Sequence, residues 1–90
     1  MGMNDQYQQM IRFTKALEGF NDQLNTSMRE LEEKHDGVTP FWQDEMRRDH
    51  DREWAPLHDR MKQYATLEGP RFVEFLRSKL RFLERYLYGG

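Results

Sequence analysis

The sequence predicts an all-α protein: an antiparallel helical hairpin with a third, C-terminal helix, associating as a dimer or larger bundle. Three observations lead there. Apolar residues recur at alternating spacings of three and four over long stretches, which is the period of one helix face. Glycine and proline fall close together at only two places, Gly37–Pro40 and Gly69–Pro70, and these divide the chain into three helical segments. Finally, 33% of the 90 residues are charged and only 37% apolar, with a mean hydropathy of −1.06. That is a thin core for a lone globule and suits narrow apolar stripes that a second chain covers. Twelve aromatic residues set the chain apart from disordered sequences, which are aromatic-poor. Residues 1–90 read as one helical domain.

The first helix is expected over about residues 4–35. Its apolar positions Met10, Phe13, Leu17, Phe20, Leu24, Met28 and Leu31 form a heptad-like seam. Asn4 or Asp5 can cap its start, and Gly37 is placed to end it. Gly19 lies inside the pattern and weakens it by about 1 kcal/mol relative to alanine.

Thr39 then offers an N-cap oxygen and Pro40 a first helical residue, where a missing N–H costs nothing. Asp44 and Glu45 suit the positive end of the helix dipole. A second helix over about 40–67 would face inward with Trp42, Met46, His50 or Trp54, Leu57, Met61, Tyr64 and Leu67. Pro56 interrupts it, removing one backbone hydrogen bond, so a kinked but continuous helix is expected. The short link makes the first two helices antiparallel neighbours.

Gly69-Pro70 reads as a stop followed by a third helix over about 70–88. Phe72, Phe75, Leu76, Leu80, Leu83 and Leu87 form its buried arc, widened by Val73, Phe82, Tyr86 and Tyr88. One neighbour does not cover so broad a face, which again predicts a partner surface.

Charge and motif content narrow the function. Residues 1–69 carry nine basic and fourteen acidic side chains, whereas residues 70–90 carry five basic and two acidic. Arg77, Arg81 and Arg85 form a basic stripe, yet an acidic body and a pI near 5.9 weigh against nucleic-acid or membrane-surface binding. Without cysteine there is no disulfide, thiol nucleophile or thiolate metal site. Neither a nucleophile-elbow motif nor a phosphate-binding glycine loop occurs, and no enzyme activity or small-molecule substrate is expected. Glu32-x-x-His35 has the spacing of di-iron bundle ligands, but a second copy is lacking. His50 with Asp49 or Glu53, and His58 with Asp59, read more simply as helix-surface pairs, so no metal or cofactor is expected. No stretch is long and apolar enough for a membrane span or signal peptide. Localisation is expected to be cytoplasmic, or extracellular by export without a cleavable signal.

Trp42 directly follows the link of this hairpin, in a cysteine-free chain of 90 residues. In this the sequence resembles the Trp-x-Gly superfamily, the ESAT-like small helical proteins associated with type VII secretion. The resemblance covers about residues 5–68 and implies a hairpin that pairs with itself or a related chain, with tryptophan at the turn. Trp42-Gln43-Asp44 departs from the motif at its glycine; Trp54, Pro56 and Leu57 look like those of divergent members. Tyr64 and Glu68 match the family's Tyr-x-x-x-Asp/Glu export signal. On this reading Met10, Phe13, Leu17, Phe20 and Leu24 carry the pairing seam, and Trp42, Trp54 and Leu57 anchor the turn end. The function expected is therefore a protein–protein interaction module. Alternatives are a structural subunit of a helical assembly, or a small modifier acting through Gly89-Gly90, a tail resembling that of ubiquitin-like modifiers.

Overall fold

A computed structural model describes residues 2–89. Helix α1 spans Met3–Val38. A single 3-10 turn at Thr39–Phe41 reverses the chain, and Trp42 follows in extended conformation. The second arm consists of helix α2 (Asp44–Gln63), a π-helical turn (Tyr64–Glu68), helix α3 (Gly69–Glu84) and a closing π-helical turn (Arg85–Gly89). Contacts between the arms run in opposite directions along the chain. His58 meets Glu32, Tyr64 meets Asn21, Arg77 meets Glu18 and Tyr88 meets Asn4. The arms are therefore antiparallel, as expected.

The third helix is not separate. Glu68 and Gly69 both have right-handed helical dihedrals, and the Gly69 N–H donates to the Tyr64 carbonyl, five residues back. This widened turn lies immediately before Pro70, whose ring would otherwise crowd the carbonyl four residues behind it. An extra residue in the turn thus carries the helix through a proline that was expected to begin a new one. Gly69 serves another purpose. A β-carbon there would lie 3.1 Å from both the Asn21 side-chain nitrogen and the Tyr64 carbonyl oxygen. Its missing side chain lets the arms approach at this level.

Boundaries at the other ends also differ from expectation. Gly2, not Asn4 or Asp5, occupies the N-cap position of α1, and the Asn4 side chain accepts a hydrogen bond from Tyr88 instead. Gly37 stays helical. Thr39 and Pro40 form the 3-10 turn, and α2 starts only after Gln43. Among the described residues Thr39 is the most deeply buried side chain. Its carbonyl accepts the Trp42 N–H at 3.1 Å and the Arg47 guanidinium at 3.0 Å, which ties the turn to α2. Asp44 and Glu45 do lie in the first turn of α2, which runs on through Pro56.

The molecule is a rod of 65 × 20 × 17 Å with a radius of gyration of 19.7 Å, against about 12 Å for a compact chain of this length. Its core is correspondingly slight. Ala65 and Leu76 are the buried apolar residues, joined by the polar Thr14, Asn21 and Thr39. The line of α1 that faces the second arm is Tyr7, Thr14, Asn21, Met28 and His35, flanked by Met10, Leu17 and Leu24 on one side. The expected seam is thus rotated. Phe13, Phe20 and Leu31 lie outside it, exposed, as do Met46, Leu57, Leu67, Phe72 and Phe75 on the other arm.

Small residues explain the rotation. Thr14 and Asn21 face the second arm, where Gly69 stands against Asn21, and small residues at such a contact admit close helix packing. Their polarity is satisfied locally. The Thr14 hydroxyl donates to the Met10 carbonyl at 2.7 Å, and Asn21 accepts the Tyr64 hydroxyl at 2.8 Å.

Candidate functional site

Two features of the rod are candidates for contact with another molecule. The first is one of its flanks. At 3.6 residues per turn, Phe13 and Phe20 project about 100° to one side of Thr14 and Asn21. Phe75 and Phe82 project in the same sense from Leu76 and Leu83, and because the arms are antiparallel, both sets emerge on the same flank. Ring contacts join them. Phe13 meets Phe72 edge-on at 6.5 Å, Phe72 meets Phe75 at 6.1 Å, and Phe20 meets Tyr64 at 6.3 Å. The Lys79 ammonium lies 5.5 Å from the Phe75 ring centre, a weakly favourable cation–π contact.

Despite these contacts, the rings remain largely in solvent: Phe13 is 53% exposed, Phe20 57%, Phe72 46%, Phe75 52% and Phe82 59%. Half of a phenylalanine surface is about 100 Å², so this flank offers roughly 500 Å² of aromatic surface. That is at the upper end of the largest apolar patches on monomers. The opposite flank is polar, with Glu18 bonded to Arg77 at 2.6 Å and Asp22, Asn25 and Glu74 lining the same shallow groove. Arg81 pairs with Glu74 as well, so two members of the arginine stripe are held by carboxylates.

The second feature is the turn end of the rod. Spacing of four residues puts His50, Trp54 and His58 on one face of α2. His35, near the end of α1, inserts among them. The Trp42 ring meets His50 edge-on at 4.5 Å, His50 stacks on His35 at 5.0 Å, His35 on Trp54 at 4.4 Å, and Trp54 on His58 at 5.3 Å. All three histidines and both tryptophans thus form one column. His58 Nε2 is 2.6 Å from the Glu32 carboxylate, and His35 Nδ1 is 3.2 Å from that of Asp36. The Nε2 atoms of His35 and His50 are buried without a hydrogen-bond partner. Asp51 sits beside them, held by Arg47 at 3.3 Å.

Of the residues expected to pair, Met10, Leu17 and Leu24 are half-buried where the aromatic flank meets the seam, while Phe13 and Phe20 stand on that flank. Trp42 and Trp54 lie in the turn-end column, and Leu57 is exposed beside it. Tyr64 is committed to the hairpin through Asn21; Glu68 is exposed. Gly89 lies in the last helical turn, and Gly90 lies outside the described residues.

Sequence reasoning missed two groupings. The sequence puts Phe72 and Phe75 in the buried arc, although Phe75, one step from Leu76, falls on a flank once Leu76 is taken as the centre, with Phe72 about 40° off it on the same side. Spacing along its own helix pairs His35 with Glu32, and only the register of the hairpin brings it to His50. None of the described helices is long and apolar enough to cross a membrane. Comparison with protein-family models, curated proteins and solved structures finds no match for this chain.

Proposed function

We propose that this protein acts by protein–protein pairing, its aromatic flank docking on the same flank of a second copy or on a related helical chain. The observation that carries this is the row Phe13, Phe20, Phe72, Phe75 and Phe82, about half exposed along one side of the rod, with Phe13, Phe72 and Phe75 in ring contact. With the flanking Met10 and Leu17, two such faces would bury on the order of 1,200 Å², the low end of specific interfaces. A chain whose own core holds so few buried residues gains more from covering this flank than from any contact within itself.

Light scattering behind a sizing column tests it. A mass at least twice the 11.0 kDa of the chain is expected at micromolar concentration, and the double substitution Phe13→Ser, Phe75→Ser should return the monomer with its helical signal intact. A wild-type chain that stays monomeric at the highest soluble concentration, and captures no helical relative, removes the proposal.

A narrower form places the protein with the secretion-associated Trp-x-Gly proteins. Trp42 at the turn of a hairpin favours it; Asp44 in place of the glycine and a Tyr64 hydroxyl bonded within the hairpin weigh against it. Glu68→Ala, at an exposed position, separates the two: it should block export without unfolding the rod, and unchanged export rejects the narrower form alone.

A further inference from the structure

We propose that His35, His50 and Asp51 form a binding site for a borderline divalent transition-metal ion, Zn²⁺ or its neighbours Co²⁺, Ni²⁺ and Cu²⁺, at the turn end of the rod. One donor atom from each residue lies within 4.8 Å of the others. Tetrahedral coordination at metal–nitrogen distances of 2.0–2.1 Å sets the donors about 3.3 Å apart. The three therefore need to close by at most about 1.5 Å, within reach of side-chain rotation. Two imidazoles and one carboxylate are the donor set that such ions favour, and three protein ligands leave a fourth position for water.

The state of the ring nitrogens points the same way. A histidine ring has two nitrogens, and a buried one without a partner costs about 1–3 kcal/mol. His35 Nε2 and His50 Nε2 are both in that condition, on rings that stack with centroids 5.0 Å apart. His35 Nδ1 faces the Asp36 carboxylate; with the proton on Nδ1, the Nε2 lone pair is left free. This is the carboxylate–histidine arrangement that orients metal-binding imidazoles and raises their basicity.

The surroundings fit as well. Trp54 stacks on His35 at 4.4 Å and lies 6.0 Å from His50, and Trp42 meets His50 edge-on, so both indoles border the two imidazoles. His35 borders one shallow cleft, with Glu32 and Asp36, and His50 borders another, with Trp42, Asp49 and Glu53. Arg47 approaches both Asp51 oxygens, at 3.3 and 3.4 Å. Each oxygen has two lone pairs, so one can turn to a metal while the other keeps the guanidinium. The third histidine is not part of the set, since His58 Nε2 is already bonded to Glu32. The proposal is independent of pairing through the aromatic flank, which lies on other residues.

The test uses the full chain, stripped with a chelator and titrated with Zn²⁺ by calorimetry and with Co²⁺ by visible absorption. Saturable binding of one ion per chain is expected, with d–d bands of a mixed nitrogen–oxygen site and a change in tryptophan fluorescence as the rings on Trp42 and Trp54 turn. His35→Gln and His50→Gln should each weaken affinity at least tenfold, and Asp36→Asn by roughly 10-fold, as the loss of an orienting carboxylate does. His58→Gln should leave affinity unchanged. Because a ligand variant can fail to fold, long-range ¹H–¹⁵N spectra of the wild-type chain give a second reading. Zn²⁺ should shift the Nε2 signals of His35 and His50 and leave that of His58 in place. Absence of one-to-one binding, binding retained by both glutamine variants, or a shift confined to His58 overturns the site.

Discussion

Replacing glycine by alanine should change stability in opposite directions at two positions of this one chain. In a helix interior the substitution gains about 1 kcal/mol, because alanine gives up less backbone freedom on folding. Gly19 is such a position, with nothing within 4 Å of the place its β-carbon would take. Gly19→Ala should therefore stabilise by about that amount. At Gly69 the same methyl meets the Asn21 side chain at 3.1 and 3.2 Å and the Tyr64 carbonyl oxygen at 3.1 Å. Neither neighbour yields freely. The carbonyl belongs to the helix backbone and holds the Gly69 N–H, and Asn21 is anchored by the Tyr64 hydroxyl. Overpacking of this kind costs roughly 1–3 kcal/mol. Set against the gain in helix propensity, Gly69→Ala should destabilise by about 1 kcal/mol.

The two variants should then differ by about 2 kcal/mol, or some 8–16 °C in melting temperature for a domain of this size. Thermal and urea melts followed by circular dichroism at 222 nm, at one fixed protein concentration, measure the difference directly. If Gly69→Ala proves as stabilising as Gly19→Ala, the close approach of the arms at Asn21 is wrong, and with it the rotation of the seam.

Other expectations follow from the same contacts. Asn21→Ala leaves the half-buried Tyr64 hydroxyl without its acceptor and should cost about 1–3 kcal/mol by the same melts, whereas Asn21→Ala combined with Tyr64→Phe should recover part of the loss. Pro56→Ala restores an N–H to the interior of α2 and should raise the melting temperature, by up to about 3 kcal/mol in stability; no gain would mean that the helix is already broken there. Tyr7 should ionise above the ordinary value of 10.0, because desolvation and then the Glu84 carboxylate and Tyr88 oppose its phenolate. A raised folded-state pKa means that its contribution to stability is present below pH 10 and lost as pH rises through the folded value. Tyr7→Phe should flatten the alkaline end of the stability profile, and the spectrophotometric titration should lose a step above 10.0.

The hairpin and the acidic start of α2 were legible because each rests on local rules. Periodicity marks a helix, a short link makes neighbours antiparallel, and carboxylates prefer the first turn. The rotation of α1 was harder to read. Choosing the largest apolar residues as the seam selects Phe13 and Phe20, but helices that approach closely need small side chains between them. The seven-residue series Tyr7, Thr14, Asn21, Met28 and His35 was present in the sequence, yet its polar members disguised it as a solvent face. Gly69-Pro70 misled for a related reason: glycine and proline usually end helices, and only the contact with Asn21 shows what the glycine is for. The histidine–tryptophan column was half legible. Residues 50, 54 and 58 align by spacing alone, whereas His35 joins them through a pairing register that no local rule supplies.

The hydrogen bond between Tyr88 and Asn4 places both ends of the described chain at one pole of a rod 65 Å long, with the histidine–tryptophan column at the other. A label, bead or fused protein attached at either terminus would hang from the same pole and leave the turn free. Tethered this way, the molecule becomes a stiff spacer that presents its far tip several nanometres from whatever surface holds it.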